Sequence, residues 1–180
     1  RDTAVVLEDR VQLPRFTYAW PSVRAFHADD AALDVLGTIL AGDKTSRLYK
    51  TLVYERQVAQ SVGAGNNSSK LAGMFTVQVT PRQGQRPADL AQVVNQEIAT
   101  LAATGPTARE LARAKNSIRV SFLDRLASVN GKADLLNYYN QFVGTPDYVR
   151  QDAARYDAVT AADVQRVARR YLTQPKVVLT

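Results

Sequence analysis

The side chains able to do chemistry in this sequence are few, and their spacing excludes more reactions than it suggests. His27 is the one histidine in 180 residues, and cysteine is absent. Zinc sites without thiolates draw on two or three imidazoles, so the chain cannot build one from its own residues. His27 precedes Asp29 and Asp30, which reads as an exposed histidine ahead of a helix that the aspartates cap. Gly42-Asp43-Lys44-Thr45-Ser46 looks like the end of a phosphate-binding loop, where small residues let backbone N–H groups close around phosphate. Asp43 stands where the critical glycine belongs and would repel phosphate, and no earlier glycine has the required spacing. The segment therefore reads as a turn between helices. No serine lies in a G-x-S-x-G elbow, and any triad would depend on His27 alone. Nothing singles out an acid pair for glycoside hydrolysis. Asn66-Asn67-Ser68-Ser69 holds two overlapping glycosylation acceptors, and a hairpin turn accounts for the same residues.

The net charge of +6 raises the question of nucleic acid. Its distribution argues against that partner. Arg150, Arg155, Arg166, Arg169 and Arg170 alternate with Asp147, Asp152, Asp157 and Asp163, the mixture of a solvated helix surface. No run of about 18 apolar residues occurs, so no membrane span is expected, and Arg1-Asp2-Thr3 opens no charged-then-apolar leader. A cysteine-free chain leaves the redox compartment undetermined. The hydrophobic content of 46 % suits one compact domain over residues 1–180.

The elements that must position any site follow from periodicity. Val5-Val6-Leu7 to Val11 and Arg15 to Trp20 read as two strands, bracketed by Pro14 and Pro21. Asp29-Asp30 open a helix carrying Leu33, Leu36 and Leu40, stopped at Gly42, and a second helix is predicted from Thr45 to about Arg56. Val58 to Gly65 and the strictly alternating Phe75 to Thr80 form a hairpin across the Asn66–Ser69 turn. A helix starts at Pro87 and breaks at Gly105-Pro106. Thr107 and Glu110 then form a capping box for a helix running past Leu123. After a weak point at Asn130-Gly131, Leu135, Leu136, Tyr139 and Phe142 mark a helix ending at Gly144. Thr145-Pro146 caps another, and Thr160 to Asp163 caps a last one before the strand Val177-Val178-Leu179. The order is ββααββ, then helices, then a closing strand: an α+β arrangement with an antiparallel or mixed sheet backed by helices.

Two stretches resemble one known family. Leu36-Gly37-Thr38-Ile39-Leu40-Ala41-Gly42-Asp43-Lys44-Thr45-Ser46-Arg47-Leu48-Tyr49, continuing from Leu52 through Val62, is similar to the second domain of insulinase, pitrilysin and mitochondrial processing peptidase relatives. Gly105-Pro106-Thr107 through Lys115, Gly144 to Tyr148 and Val159 to Val164 resemble the helical half of that domain. The resemblance implies a half-unit of a zinc metallopeptidase. There an inverted His-x-x-Glu-His motif binds zinc and its glutamate serves as base. This chain has no such motif, so the resemblance implies zinc in a preceding homologous domain and no cofactor here. The family's substrate-holding arginine and tyrosine, seven residues apart, fall on Val53 and Gln60. Neither donates as those residues do, so no catalytic or metal residue is expected in this chain.

The implied role is that of a non-catalytic domain in the wall of a closed peptide chamber. Its partners would be the zinc domain, the opposite half and peptide substrates. The alternative is a stand-alone scaffold of the same fold, like the core subunits of the respiratory cytochrome bc complex. Many bacterial relatives suggest an envelope location, which the chain itself leaves open.

Overall fold

The computed structural model describes residues 1–8, 10 and 13–180. Its strands are β1 (Thr3–Val5), β2 (Phe16–Ser22), β3 (Ala59–Ser68), β4 (Gly73–Pro81) and β5 (Val177–Leu179), joined in one sheet in the order β1-β5-β2-β4-β3. β1 runs parallel to β5, and the other neighbours are antiparallel. The helices are α1 (Asp30–Ala41), a π-helical segment (Tyr49–Glu55), α2 (Pro87–Thr104), α3 (Ala108–Ala127), α4 (Val129–Val143), α5 (Val149–Ala158) and α6 (Ala161–Val167), which continues as a π-helical turn (Ala168–Leu172). This is the α+β class that the sequence implies, with a mixed sheet.

Alternation places Phe16, Tyr18 and Trp20 of β2 and Phe75, Val77 and Val79 of β4 on one buried face. Their rings run down the sheet as a column, with centroids 5.4 Å apart for Phe16 and Tyr18 and 5.6 Å for Tyr18 and Trp20. Leu33, Leu36 and Leu40 of α1 join the same core. Gly37 lets α1 lie on β3, because a Cβ there would sit 2.9 Å from the Gly65 Cα. Pro21 continues β2 opposite Met74, beyond the three residues that pair with β5.

Several boundaries differ from the sequence expectation, each for a physical reason. The first strand is Thr3–Val5, where Thr3 N–H and Leu7 N–H reach the carbonyls of Lys176 and Thr180; Val11, its expected end, lies outside the described residues. Thr45 and Ser46 belong to a turn, and the helix that follows is π-wound, with Arg56 N–H on Thr51 C=O. Asn66, Asn67 and Ser68 lie in β3 rather than in the hairpin turn. The Asn66 amide is taken up by Asp30 Oδ1 at 3.0 Å and by the Ser22 hydroxyl at 2.6 Å, and the turn moves to Ser69–Ala72. Asn130 and Gly131 lie inside α4, since Ser128 breaks the chain and caps that helix through Gly131 N–H. The Thr145 hydroxyl accepts from Asp147 N–H, which makes a turn and delays α5 to Val149. The capping boxes at Thr107/Glu110 and Thr160/Asp163 form as the sequence implies.

Candidate functional site

Val53 and Gln60 sit on either side of the passage from the π-helical segment into β3, and both flanks are irregular. Val53 packs partly buried against the core. Gln57, between them, has φ +53°, a left-handed conformation that a side chain makes costly. Val58 N–H returns to Leu52 C=O, and the Arg82 guanidinium reaches Ala59 C=O at 3.3 Å. β3 and β4 shift register between Ala59 and Ser61, which leaves Gln60 as the extra residue of a β-bulge, exposed beside Arg82 and Gln83. A π-helix followed by a bulge is a device for aiming side chains away from the ladder, and both are common next to active sites. Here the aimed residues are an aliphatic group and a neutral amide, neither of which supplies the charge of a guanidinium or the acidity of a phenol.

The titratable side chains gather elsewhere, where α1 meets α5. Asp29, Asp30 and Asp152 are 3 %, 5 % and 8 % exposed. Arg155 bridges Asp152 Oδ1 at 2.9 Å and Asp30 Oδ2 at 3.0 Å, with its guanidinium 4.7 Å from the centre of the Phe26 ring. Tyr139 donates to Asp152 at 2.8 Å and Tyr156 to Asp34 at 2.7 Å. Asp29 receives Arg166, Arg170 and Tyr171. The two aspartates expected to cap α1 therefore do not cap it: Asp29 makes no side-chain cap bond, and Asp30 binds Phe26 N–H and Arg155 instead. One sign of this network is visible in the sequence. Asp30 and Asp34 lie four residues apart on a helix otherwise almost wholly apolar, and Asp152, Arg155 and Tyr156 share one face of α5.

Burial pushes the Asp34 carboxyl up to about 7, against the Tyr156 hydroxyl, which favours the ionised form. Between about pH 4 and 7 the folded chain thus keeps a proton that the unfolded chain has released, so stability falls as pH rises through this window. The expected loss across this window is about 4 kcal/mol. Asp34→Asn keeps an acceptor for Tyr156 and flattens this part of the profile. Urea midpoints at pH 5 and pH 7.5 for both proteins check it, and an unchanged slope in the variant would assign the effect to another group.

No group of three or more His, Asp or Glu side chains able to hold a metal occurs among the described residues. His27 spends Nδ1 as acceptor for Asp29 N–H at 3.0 Å, and its acidic neighbours are bound to arginines. Zinc therefore does not fit the donors of the described residues. Among the described residues, no helix is long and apolar enough to cross a membrane.

The sheet face turned away from α1 carries Thr17 and Ala19 of β2, Thr76 and Gln78 of β4, and Gly63 and Gly65 of β3, aligned across the register. A Cβ built on either glycine meets nothing within 4 Å. This surface is smooth, half-exposed and uncharged.

Helices thus pack on one face of a mixed sheet, and the passage from the π-helical segment into the bulge of β3 carries Val53 and Gln60. The profile of the Peptidase M16 inactive domain matches residues 2–118, and the chain belongs to that family. It is similar to the uncharacterized zinc protease YmxG of Bacillus subtilis, 26 % identical over 142 residues that cover 79 % of this chain and 34 % of that protein. The alpha subunit of the mitochondrial-processing peptidase of Neurospora crassa is 30 % identical over 178 residues, covering 88 % of this chain and 30 % of the subunit. The chain thus spans about a third of the length of these curated relatives. In fold it matches the crystal structure of a protease from Helicobacter pylori with a TM-score of 0.87 and 22 % identity, over all of this chain and 44 % of that one.

Proposed function

We propose that this chain is one non-catalytic domain of a longer zinc-dependent metalloendopeptidase, where it forms part of the wall of a peptide chamber. In this reading residues 1–180 act as a unit that holds the zinc domain and the opposite half in register, and Val53 and Gln60 occupy the silent positions of the substrate-holding pair. The observation that carries the reading is the bare sheet face. Thr17, Ala19, Thr76 and Gln78 offer uncharged side chains beside the bare backbone of Gly63 and Gly65, over three adjacent strands. Such a face excludes bulk without adhering to any one sequence, which suits a wall that selects by size.

Zinc content and cleavage of a quenched peptide, measured on this chain and on the longer protein that carries it, test the reading. The chain alone should bind no zinc and cut nothing, while the longer protein does both. Thr76→Trp in the longer protein should slow cleavage of long peptides several-fold more than short ones. Stoichiometric zinc with chelator-sensitive cleavage by the chain itself would overturn the proposal, and an inactive longer protein would favour a scaffold.

A further inference from the structure

The turn after α1, the π-helical segment and the first turn of α3 enclose a groove of about 1070 Å³. Lys44, Arg47, Lys50, Arg109 and Arg113 line it, against Glu97 and Glu110. Its acidic groups, and the acids of the adjoining Asp43 and Glu55, already have partners. Glu110 is held by Arg47 and by the Thr107 N–H and hydroxyl. Asp43 accepts from the Thr45 N–H and hydroxyl and pairs with Arg113 Nε at 3.2 Å, while Glu55 pairs with Lys50. Glu97 acts on Arg47.

The cations are not matched in the same way. Among the described residues, Lys44 and Arg109 have no ion-pair or side-chain hydrogen-bond partner. Arg113 keeps Nη2 without an acceptor, a costly arrangement for a buried donor. The 20-residue α3 begins here and adds the positive end of its dipole. Tyr54, 73 % exposed, and Tyr49 stand along the groove.

We propose that this groove binds an acidic polypeptide segment. The unmatched cations come from different elements, Lys44 from the turn and Arg109 from α3, and the groove is far larger than one oxyanion. A ligand with several separated carboxylates therefore satisfies more of them than a single small anion does. The tyrosines offer amphipathic surface to the stems of such a segment, as aromatic residues do at peptide interfaces. The inference stands on this chain alone and does not depend on the chamber.

The test is fluorescence anisotropy of a labelled eight-residue peptide rich in glutamate, with the 180-residue chain at low and high salt. Binding should appear in the low salt and weaken at least tenfold at high salt. The double variant Lys44→Glu, Arg109→Glu should lose at least tenfold in affinity. A charge-matched control, Lys132→Glu with Arg150→Glu on exposed positions far along the chain, should stay within twofold. All four side chains are exposed, and unchanged circular dichroism will show that each variant is folded. Equal loss in both doubles would reduce the effect to net charge and overturn the proposal. So would absence of binding at low salt, or inorganic pyrophosphate or a short single-stranded oligonucleotide competing as well as the unlabelled peptide.

Discussion

Arg155→Ala is expected to lower the stability of the domain by about 4 kcal/mol, the range for removing one partner of a buried ion pair. The guanidinium is the common counter-charge of Asp30 and Asp152, and it is also stacked on Phe26. Its removal leaves two carboxylates almost without solvent, with Asp34 close enough to raise the energy of ionising the group. A loss of this size is a large part of the 5–15 kcal/mol that separates folded from unfolded states in ordinary domains. The deficit should shrink at pH 5 relative to pH 7.5, because protonation relieves the unmatched carboxylates. Arg155→Lys should recover less than half of it, since one ammonium cannot hold two carboxylates in the directions taken by Nη1 and Nη2. Denaturant midpoints of the three proteins at the two pH values decide the matter. A deficit under 1 kcal/mol for the alanine variant would mean that water reaches the cluster, and the buried-network description would then be wrong.

Arg47→Ala should cost about 3 kcal/mol by a related route. Nε and Nη2 hold Glu110 at 2.6 and 3.0 Å, and the same carboxylate closes the capping box of α3 on Thr107. One glutamate thus fixes both the start of α3 and its distance from the π-helical segment. Burial works to raise the Glu110 carboxyl, but Arg47 and Thr107 overcome it and bring it down to about 2. The stability this provides is complete above the ordinary glutamate value and is lost as pH falls towards 2. In Arg47→Ala that acid-dependent loss should largely disappear, so that the two proteins converge near pH 2. Parallel denaturant profiles across this range would show that the ion pair contributes little.

These residues also mark the limits of what the sequence discloses. β2 and β4 were legible because one face is buried and the other is not, so apolar and polar residues alternate. The boxes at Thr107/Glu110 and Thr160/Asp163 were legible because a cap is a local contract between residues three apart. Asn66 was misread for the opposite reason. Asparagine favours turns when its amide has only local partners, and here Asp30 and Ser22 take it from distant positions. Likewise Asp29 and Asp30 carry the signature of a helix start, and long-range arginines claim them first. Val53 and Gln60 were found only by resemblance, since nothing in their chemistry announces a π-helix or a bulge.

The position of β5 also governs how the sheet is completed. Thr3 pairs with Val177, and the same strand separates β1 from β2. The three strands β2-β4-β3 and α1 can assemble within the first 81 residues, but β1 has no place to dock until residues 177–179 arrive. Closing a loop of nearly the whole chain is slow, so this step should come late. During synthesis the inner edge of β2 stays open for the time it takes to make α2 to α6, and an open edge invites pairing with another chain. The last strand is in this sense a latch, and the interval before it closes is when a nascent chain most needs a chaperone.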